Sequence, residues 1–169
     1  LDEPEDTVFD ECKPVNRPAL EARFRSFCEE HGFPCTESRF HASGSVGGVF
    51  VVPYDGTTLA VKVRYPGIED LFRQDVAALQ RVARVSPVRG FDPVACSQQV
   101  EQFIASELDY RREAAYTRRF HALCADLLVV VPTVYDACCE DDIVATGFVD
   151  SDRLFDALAA NSLAENTAL

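Results

Sequence analysis

The sequence predicts an α+β domain in which helices pack against an antiparallel sheet. Two segments, 49–52 and 58–63, are rich in β-branched residues and flank an Asp-Gly turn signal, as in a β-hairpin. Segments 18–30 and 68–85 instead repeat apolar residues at helical spacing. With 47% hydrophobic residues, 12 Phe and 5 Tyr, the chain has enough apolar material for one packed core, which argues against global disorder.

Length and charge exclude several classes of protein. The 169 residues carry 16 Lys+Arg against 28 Asp+Glu, a net charge of −12, which disfavours direct contact with nucleic acid or anionic lipid. The longest apolar run, 127–131, is far shorter than the roughly 20 residues of a membrane span. The first residues are acidic and do not resemble a signal peptide. We therefore predict no nucleic-acid partner and no transmembrane segment.

The cysteines favour a reduced, intracellular protein. There are 7 of them, an odd number, and none forms a Cys-x-x-Cys pair. Adjacent Cys138 and Cys139 could form a soft-metal or redox site. The favoured interpretation is that they are simply two small residues at a hairpin, and we predict no metal ligands. The chain contains no Met, so we interpret it as an excerpt, a processed product or an incomplete reading frame.

The first half of the chain divides into a tail, a helix and a hairpin. Residues 1–17 are an acidic tail and a Pro-interrupted linker, and a folded unit is predicted from 18 to 150. Within 18–30 the apolar residues Leu20, Phe24 and Phe27 share one helix face. Small residues at 41–48 then predict a tight loop that leads into the hairpin strands.

The second half predicts two helices and a second hairpin. One helix spans 68–85, and the next begins at Asp92-Pro93, an N-cap followed by Pro at the first helical position. It extends to about residue 124, with a kink near Ala115 where the apolar face changes. Segments 129–135 and 143–149 predict a hairpin around an acidic turn, and 151–169 begins a further, incomplete unit.

Lys62 is the first candidate functional residue. It is one of only two lysines, and it lies in an apolar strand that follows the small-residue loop. Small residues let backbone N–H groups approach an anion, and a lysine ammonium can reach phosphate oxygens as a point charge. This arrangement resembles the nucleotide-holding start of a protein kinase. Turn chemistry in the loop and a solvent-facing Lys62 remain the alternatives.

Glu107 is the second candidate, because a partly buried lysine requires a carboxylate partner. In one continuous helix, Glu107 falls on the apolar stripe, whereas Asp109 and Glu113 point about 120° or more away. We therefore predict a Lys62–Glu107 ion pair. A helix-surface position at the edge of the stripe is the equal alternative for Glu107.

Three motifs, in this order, resemble the UbiB-like (AarF-domain) atypical protein kinases. Residues 60–68, AVKVRYPGI, are similar to the lysine strand and Pro-Gly turn of that family. Residues 107–115, ELDYRREAA, resemble its Glu-x-Asp-Tyr helix, and 131–136, VPTVYD, the strand beyond it. The resemblance covers roughly 40–150 and implies the small lobe of a kinase-like fold.

The resemblance also implies a site for ATP with Mg. Lys62 would contact nucleotide phosphates, and Glu107 would pair with it. The loop 42–45 would take the place of the Gly-rich loop of other kinases, although Ser43 and Gly44 stand where the family has alanines. Val46 and Ala60 would form the apolar roof of the nucleotide site. These loop and roof residues are Ala42, Ser43, Gly44, Ser45, Val46, Gly47 and Ala60.

The implied function is ATP-dependent phosphoryl transfer or hydrolysis linked to ubiquinone (isoprenoid-quinone) biosynthesis. Partners would be a nucleotide and, by family analogy, quinone-biosynthesis proteins or lipid, at a mitochondrial, plastid or bacterial membrane. None of the histidines lies in a kinase catalytic-loop context, so we expect that loop and the Mg ligands outside this chain. A degenerate, non-catalytic module that binds a partner is the alternative from another class, and a plain structural domain is the third.

Overall fold

A computed structural model of the chain describes residues 16–85 and 92–151. The four described strands form one antiparallel sheet in the order β1-β2-β3-β4, which confirms the predicted α+β class. The acidic tail and the segment after 151 lie outside the described residues. The elements are α1 (Arg17–His31), β1 (Arg39–Ser43), β2 (Gly47–Tyr54), β3 (Thr57–Arg64), α2 (Ile68–Val85), α3 (Pro93–Leu108), α4 (Tyr110–Leu123) and β4 (Ile143–Gly147).

The central hairpin of β2 and β3 forms as its sequence predicts. The strands pair without a break from Gly47↔Arg64 to Tyr54↔Thr57. The two turn residues, Asp55 and Gly56, have φ angles of 43° and 75°. Positive φ at both central positions is typical of a type I′ turn, whose twist matches that of the flanking strands.

Helix α1 covers one face of this hairpin. Its residues Leu20, Phe24 and Phe27 are all buried, as their spacing predicts. Phe24 stacks on Phe50 of β2 with ring centroids 3.9 Å apart. The helix approaches so closely that a Cβ atom at Gly48 would lie 2.7 Å from Leu20 Cδ2. On β3, the alternate residues Leu59, Val61 and Val63 face this core and are 0% exposed.

Two predicted segments differ from the observed strands. Ala42 and Ser43, predicted as loop, belong to β1 because they pair with Val49 and Gly48, and the loop itself is only 44–46. The predicted hairpin of 129–135 with 143–149 is present only over 133–135, where the antiparallel bridge Val134↔Thr146 is flanked by hydrogen bonds from Tyr135 N to Ala145 O and from Gly147 N to Thr133 O. The full strand pairing of β4 is with β3 instead. Pro132 interrupts that segment and has no N–H for a ladder.

The predicted long helix breaks at Asp109, six residues before the predicted kink at Ala115. Leu108 and Tyr110 are 7% and 0% exposed. Two residues that are two positions apart point about 200° apart on one helix, so both reach the core only if the helix is interrupted. Asp109 caps the new helix, since its side chain accepts a hydrogen bond from Arg112 N at 2.9 Å.

Loss of this cap is expected to destabilise the fold. Asp109→Ala removes the acceptor for the Arg112 N–H, and we expect the free energy of unfolding to fall by about 1 kcal/mol. Asp109→Asn keeps a side-chain oxygen at the same place and should retain most of the stability. Urea denaturation of the three proteins measures the difference. Equal stability of the alanine and asparagine variants would show that the cap contributes nothing.

Candidate nucleotide-binding site

Lys62 lies on the face of β3 that points away from the α1 core. Its Nζ donates to both carboxylate oxygens of Glu113 on α4, at 2.9 and 2.6 Å. The Lys62 and Glu113 side chains are 33% and 40% exposed, so the pair is accessible from solvent. The strand lysine is therefore fixed in place by a carboxylate but is still able to meet a ligand.

The predicted Lys62–Glu107 ion pair is wrong in its partner. The chain leaves α3 and enters α4 at Asp109, so the side-chain directions in α4 do not continue those of α3. A helical wheel that treats 93–124 as one helix therefore places Glu113 on the face away from the core. Glu107 is exposed in the last turn of α3. It nevertheless lines the same groove as Lys62 and Glu113, a space of about 360 Å³. Participation of Glu107 in the site stays a prediction.

A sequence signal for Glu113 does exist. Asp109 is a good N-cap residue, and a helix counted from it places Tyr110, Glu113, Ala114 and Thr117 at positions i, i+3, i+4 and i+7. In the structure Tyr110 and Ala114 are buried and Glu113 is half-buried, which confirms that they share the inward face. The cap, rather than the apolar stripe, identifies the partner.

Tyr110 lies beneath the lysine. The Lys62 ammonium is 4.7 Å from the centroid of the Tyr110 ring, a cation–π distance. The ring is 0% exposed, and its hydroxyl has no hydrogen-bond partner among the described residues. Burial raises the pKa of this phenol above its usual range, so it stays neutral. Lys62 thus contacts a carboxylate and the face of an aromatic ring.

The predicted loop residues have different environments. Gly44 and Ser45 are exposed, and the Gly44 N–H donates to Gly47 O at 2.7 Å. Ser43 Oγ shares a hydrogen bond with the Tyr65 hydroxyl at 2.8 Å. Val46, predicted as a roof residue, is instead part of the hydrophobic core and is 6% exposed. The loop tip 44–45 is therefore open to a ligand, as is the exposed Ala42, which pairs with Val49 on the face that carries Lys62.

The cross-strand neighbours of Lys62 are apolar, and Arg64 lies two positions further along β3 on the same face. Val49 on β2 and Val144 on β4 are the cross-strand partners of Lys62. Two positions back along β3, Ala60 is partly exposed on the same face beside Val51 of β2. Ala60 and Lys62 are thus brought onto one surface, with an apolar side chain next to a cation. Their roles as a roof residue and a phosphate contact stay predictions.

The class of protein follows from this arrangement. An antiparallel sheet with packed helices, in which a strand lysine pairs with a helix glutamate, is the small lobe of a protein-kinase-like fold. The chain matches the ABC1 atypical kinase-like domain over residues 8–168, and it belongs to that family. The predicted resemblance to UbiB-like atypical kinases is confirmed.

Relatives from three lineages are similar to parts of the chain. Atypical kinase COQ8B, mitochondrial, of Rattus norvegicus is 37% identical over 102 residues, 58% of this chain and 19% of the relative. Probable protein kinase UbiB of Cellvibrio japonicus is 37% identical over 101 residues, 56% of this chain and 18% of the relative. Protein ACTIVITY OF BC1 COMPLEX KINASE 3, chloroplastic, of Arabidopsis thaliana is 29% identical over 128 residues, 72% of this chain and 18% of the relative.

The chain spans only about a fifth of the length of these relatives. Within 16–85 and 92–151, no three His, Cys, Asp or Glu side chains are grouped so that they could hold a metal ion. Residues 16–85 and 92–151 contain no helix that could span a membrane.

Proposed function

We propose that this chain is the ATP-binding small lobe of a UbiB-like atypical kinase or ATPase that acts in ubiquinone (isoprenoid-quinone) biosynthesis. The ion pair between Lys62 Nζ and the Glu113 carboxylate, at 2.6 Å, carries the proposal. It holds a partly exposed cation at a defined place on the sheet face beside Ala60. Membership of the atypical kinase-like family supports a nucleotide as the ligand.

The residues of the site fit a nucleoside triphosphate. The partly exposed Ala60 suits the apolar face of a planar base, and Lys62, two residues further along β3, suits a phosphate oxygen. Glu113 keeps the ammonium extended across the groove, so less side-chain freedom is lost when a phosphate binds. The exposed tip, Gly44 and Ser45, lies in the loop that we propose covers the phosphates.

Catalysis itself requires groups that we place outside this chain. When bound, Mg²⁺ neutralises charge on the transferred phosphoryl group, and in kinases its ligands belong to the second lobe. Lys62 then positions the phosphates, while Glu113 positions Lys62. The same proposal includes a location at a mitochondrial, plastid or bacterial membrane, which the mitochondrial and chloroplastic relatives support. It also includes quinone-biosynthesis proteins or lipids as partners.

Comparing the two candidate glutamates tests the site. In the full-length gene product, Glu113→Gln removes the charge that holds Lys62, and we expect Mg-ATP affinity to fall by about tenfold. Glu107→Gln changes the same net charge in the same groove and makes a matched control, with an expected change of less than about twofold. Isothermal titration calorimetry measures both.

Two outcomes would contradict the proposal. A larger loss with Glu107→Gln than with Glu113→Gln would exclude Glu113 as the partner that matters for binding. Absence of any Mg-ATP binding or thermal stabilisation in the full-length wild type would exclude the ATP-binding function and leave the non-catalytic module.

A further inference from the structure

Gly47 is a glycine because of space, not backbone conformation. Its φ angle is not among the positive values, which among the described glycines occur at 32, 56 and 67. A Cβ atom at this position would instead lie 2.5 Å from the Tyr110 hydroxyl and 2.4 Å from Val63 O. Gly47 therefore leaves the volume that the end of the Tyr110 side chain fills.

Tyr110 and Glu113 approach Lys62 from the same helix. They are three residues apart in the first turn of α4, so both project to one side of it. Glu113 accepts from the ammonium, and the Tyr110 ring lies 4.7 Å from it. Because the ring is fully buried between α4 and β2, it cannot move aside as a surface side chain could.

We propose that Tyr110 is a positioning residue for Lys62. We further propose that Gly47 leaves space for the end of the Tyr110 side chain and does not bind phosphate. The inference rests on the proposed function, in which Lys62 binds nucleotide phosphates. The face of the ring attracts the ammonium, and the Glu113 carboxylate accepts its hydrogen bonds, so two contacts restrict the position of the ammonium.

The ring and the hydroxyl of Tyr110 make separable contributions. The hydroxyl is buried and has no hydrogen-bond partner among the described residues, so it does not help to hold Lys62. Tyr110→Phe keeps the aromatic face and should leave Lys62 in place. Tyr110→Leu keeps an apolar side chain but is shorter and has no aromatic face. The difference between folded Tyr110→Leu and Tyr110→Phe therefore reports the loss of the face together with the vacated volume.

NMR of the lysine side chain reports this contact directly. In the full-length gene product labelled with ¹³C-lysine, the Lys62 signals are assigned by their absence in Lys62→Arg. Without nucleotide, we expect upfield ring-current shifts of the ε-CH₂ protons in the wild type and in Tyr110→Phe, and their loss in Tyr110→Leu. Tyr116→Leu is the matched control, because it removes another cation–π pair, that of Arg112 at 5.1 Å, from the same helix.

Affinity for Mg-ATP provides the functional readout. Tyr110→Leu is expected to weaken binding by about three- to fivefold, and Tyr110→Phe and Tyr116→Leu by less than about twofold. Tyr110→Met, a second variant without an aromatic face, keeps the test open if Tyr110→Leu does not fold. Gly47→Ala should displace both the end of Tyr110 and the β3 backbone at Val63, and it is expected to lower the free energy of unfolding.

The results that overturn the inference are distinct from those that overturn the proposed function. Unshifted Lys62 signals in the wild type, or signals unchanged in folded Tyr110→Leu or Tyr110→Met, would show that the ring does not hold the lysine. An unchanged free energy of unfolding in Gly47→Ala would exclude the close approach at Gly47. Equal loss of affinity in Tyr110→Phe and Tyr110→Leu would have the same meaning. A wild type that shows the ring-current shift but no ATP binding would refute the nucleotide site alone.

Discussion

Lys62→Met is expected to reduce the affinity of the full-length protein for Mg-ATP by about 10- to 100-fold. Methionine preserves an unbranched side chain of similar length but removes the charge, and with it the charge-assisted hydrogen bonds to phosphate oxygens. Isothermal titration calorimetry measures the change. Lys13→Met offers a matched control, because it alters the net charge equally at the only other lysine of the 169 residues.

Loss of the fold would not account for this result. The Glu113 carboxylate that loses its partner is 40% exposed, so water solvates it and the unfolding free energy should change by about 1 kcal/mol or less. Circular dichroism and urea denaturation verify that the variant is folded. Affinity within about twofold of the wild type in folded Lys62→Met would exclude contact between Lys62 and the phosphates.

Phe24→Ala is expected to lower the unfolding free energy by about 3–5 kcal/mol. Phe24 is 3% exposed and stacks on Phe50, with the ring planes only 4° apart, so truncation leaves a cavity between α1 and the sheet. Urea denaturation measures the loss. Phe120→Ala deletes the same atoms from a side chain that is 58% exposed on α4, and we expect a change within about 0.5 kcal/mol.

Similar destabilisation by the two alanine substitutions would contradict the packing described for α1. It would mean that the stacked position of Phe24 on Phe50 contributes no more than an exposed phenylalanine on another helix.

Elements with short-range signals could be predicted from the sequence. The spacing of Leu20, Phe24 and Phe27 identifies the buried face of α1, and the Asp-Gly pair identifies the β2–β3 turn. Strand β1 could not be predicted in the same way, because Ala42 and Ser43 have loop-like composition. Their strand conformation depends on pairing with β2, which is contact between segments rather than a local preference.

Of the ion pair in the candidate site, the lysine could be predicted from the sequence, but its carboxylate partner could not be predicted from the apolar periodicity alone. Lys62 is conspicuous as a lone lysine in an apolar strand, and the structure places it on an open sheet face. Its partner depends on which side chains of the helix face the sheet. That direction is set anew at Asp109, where the chain leaves one helix and enters the next. Extrapolating periodicity across that cap selects Glu107, whereas restarting the count there selects Glu113.

The adjacent glycines at 47 and 48 have a consequence for how such sequences are compared. Each makes room on a different side of β2, one for Tyr110 and the other for Leu20. Glycines in this part of a kinase-like sequence are commonly interpreted as nucleotide contacts. That interpretation would assign both positions to ligand binding. In related chains, the residue types at these positions should instead vary together with the bulk of the facing helix residues.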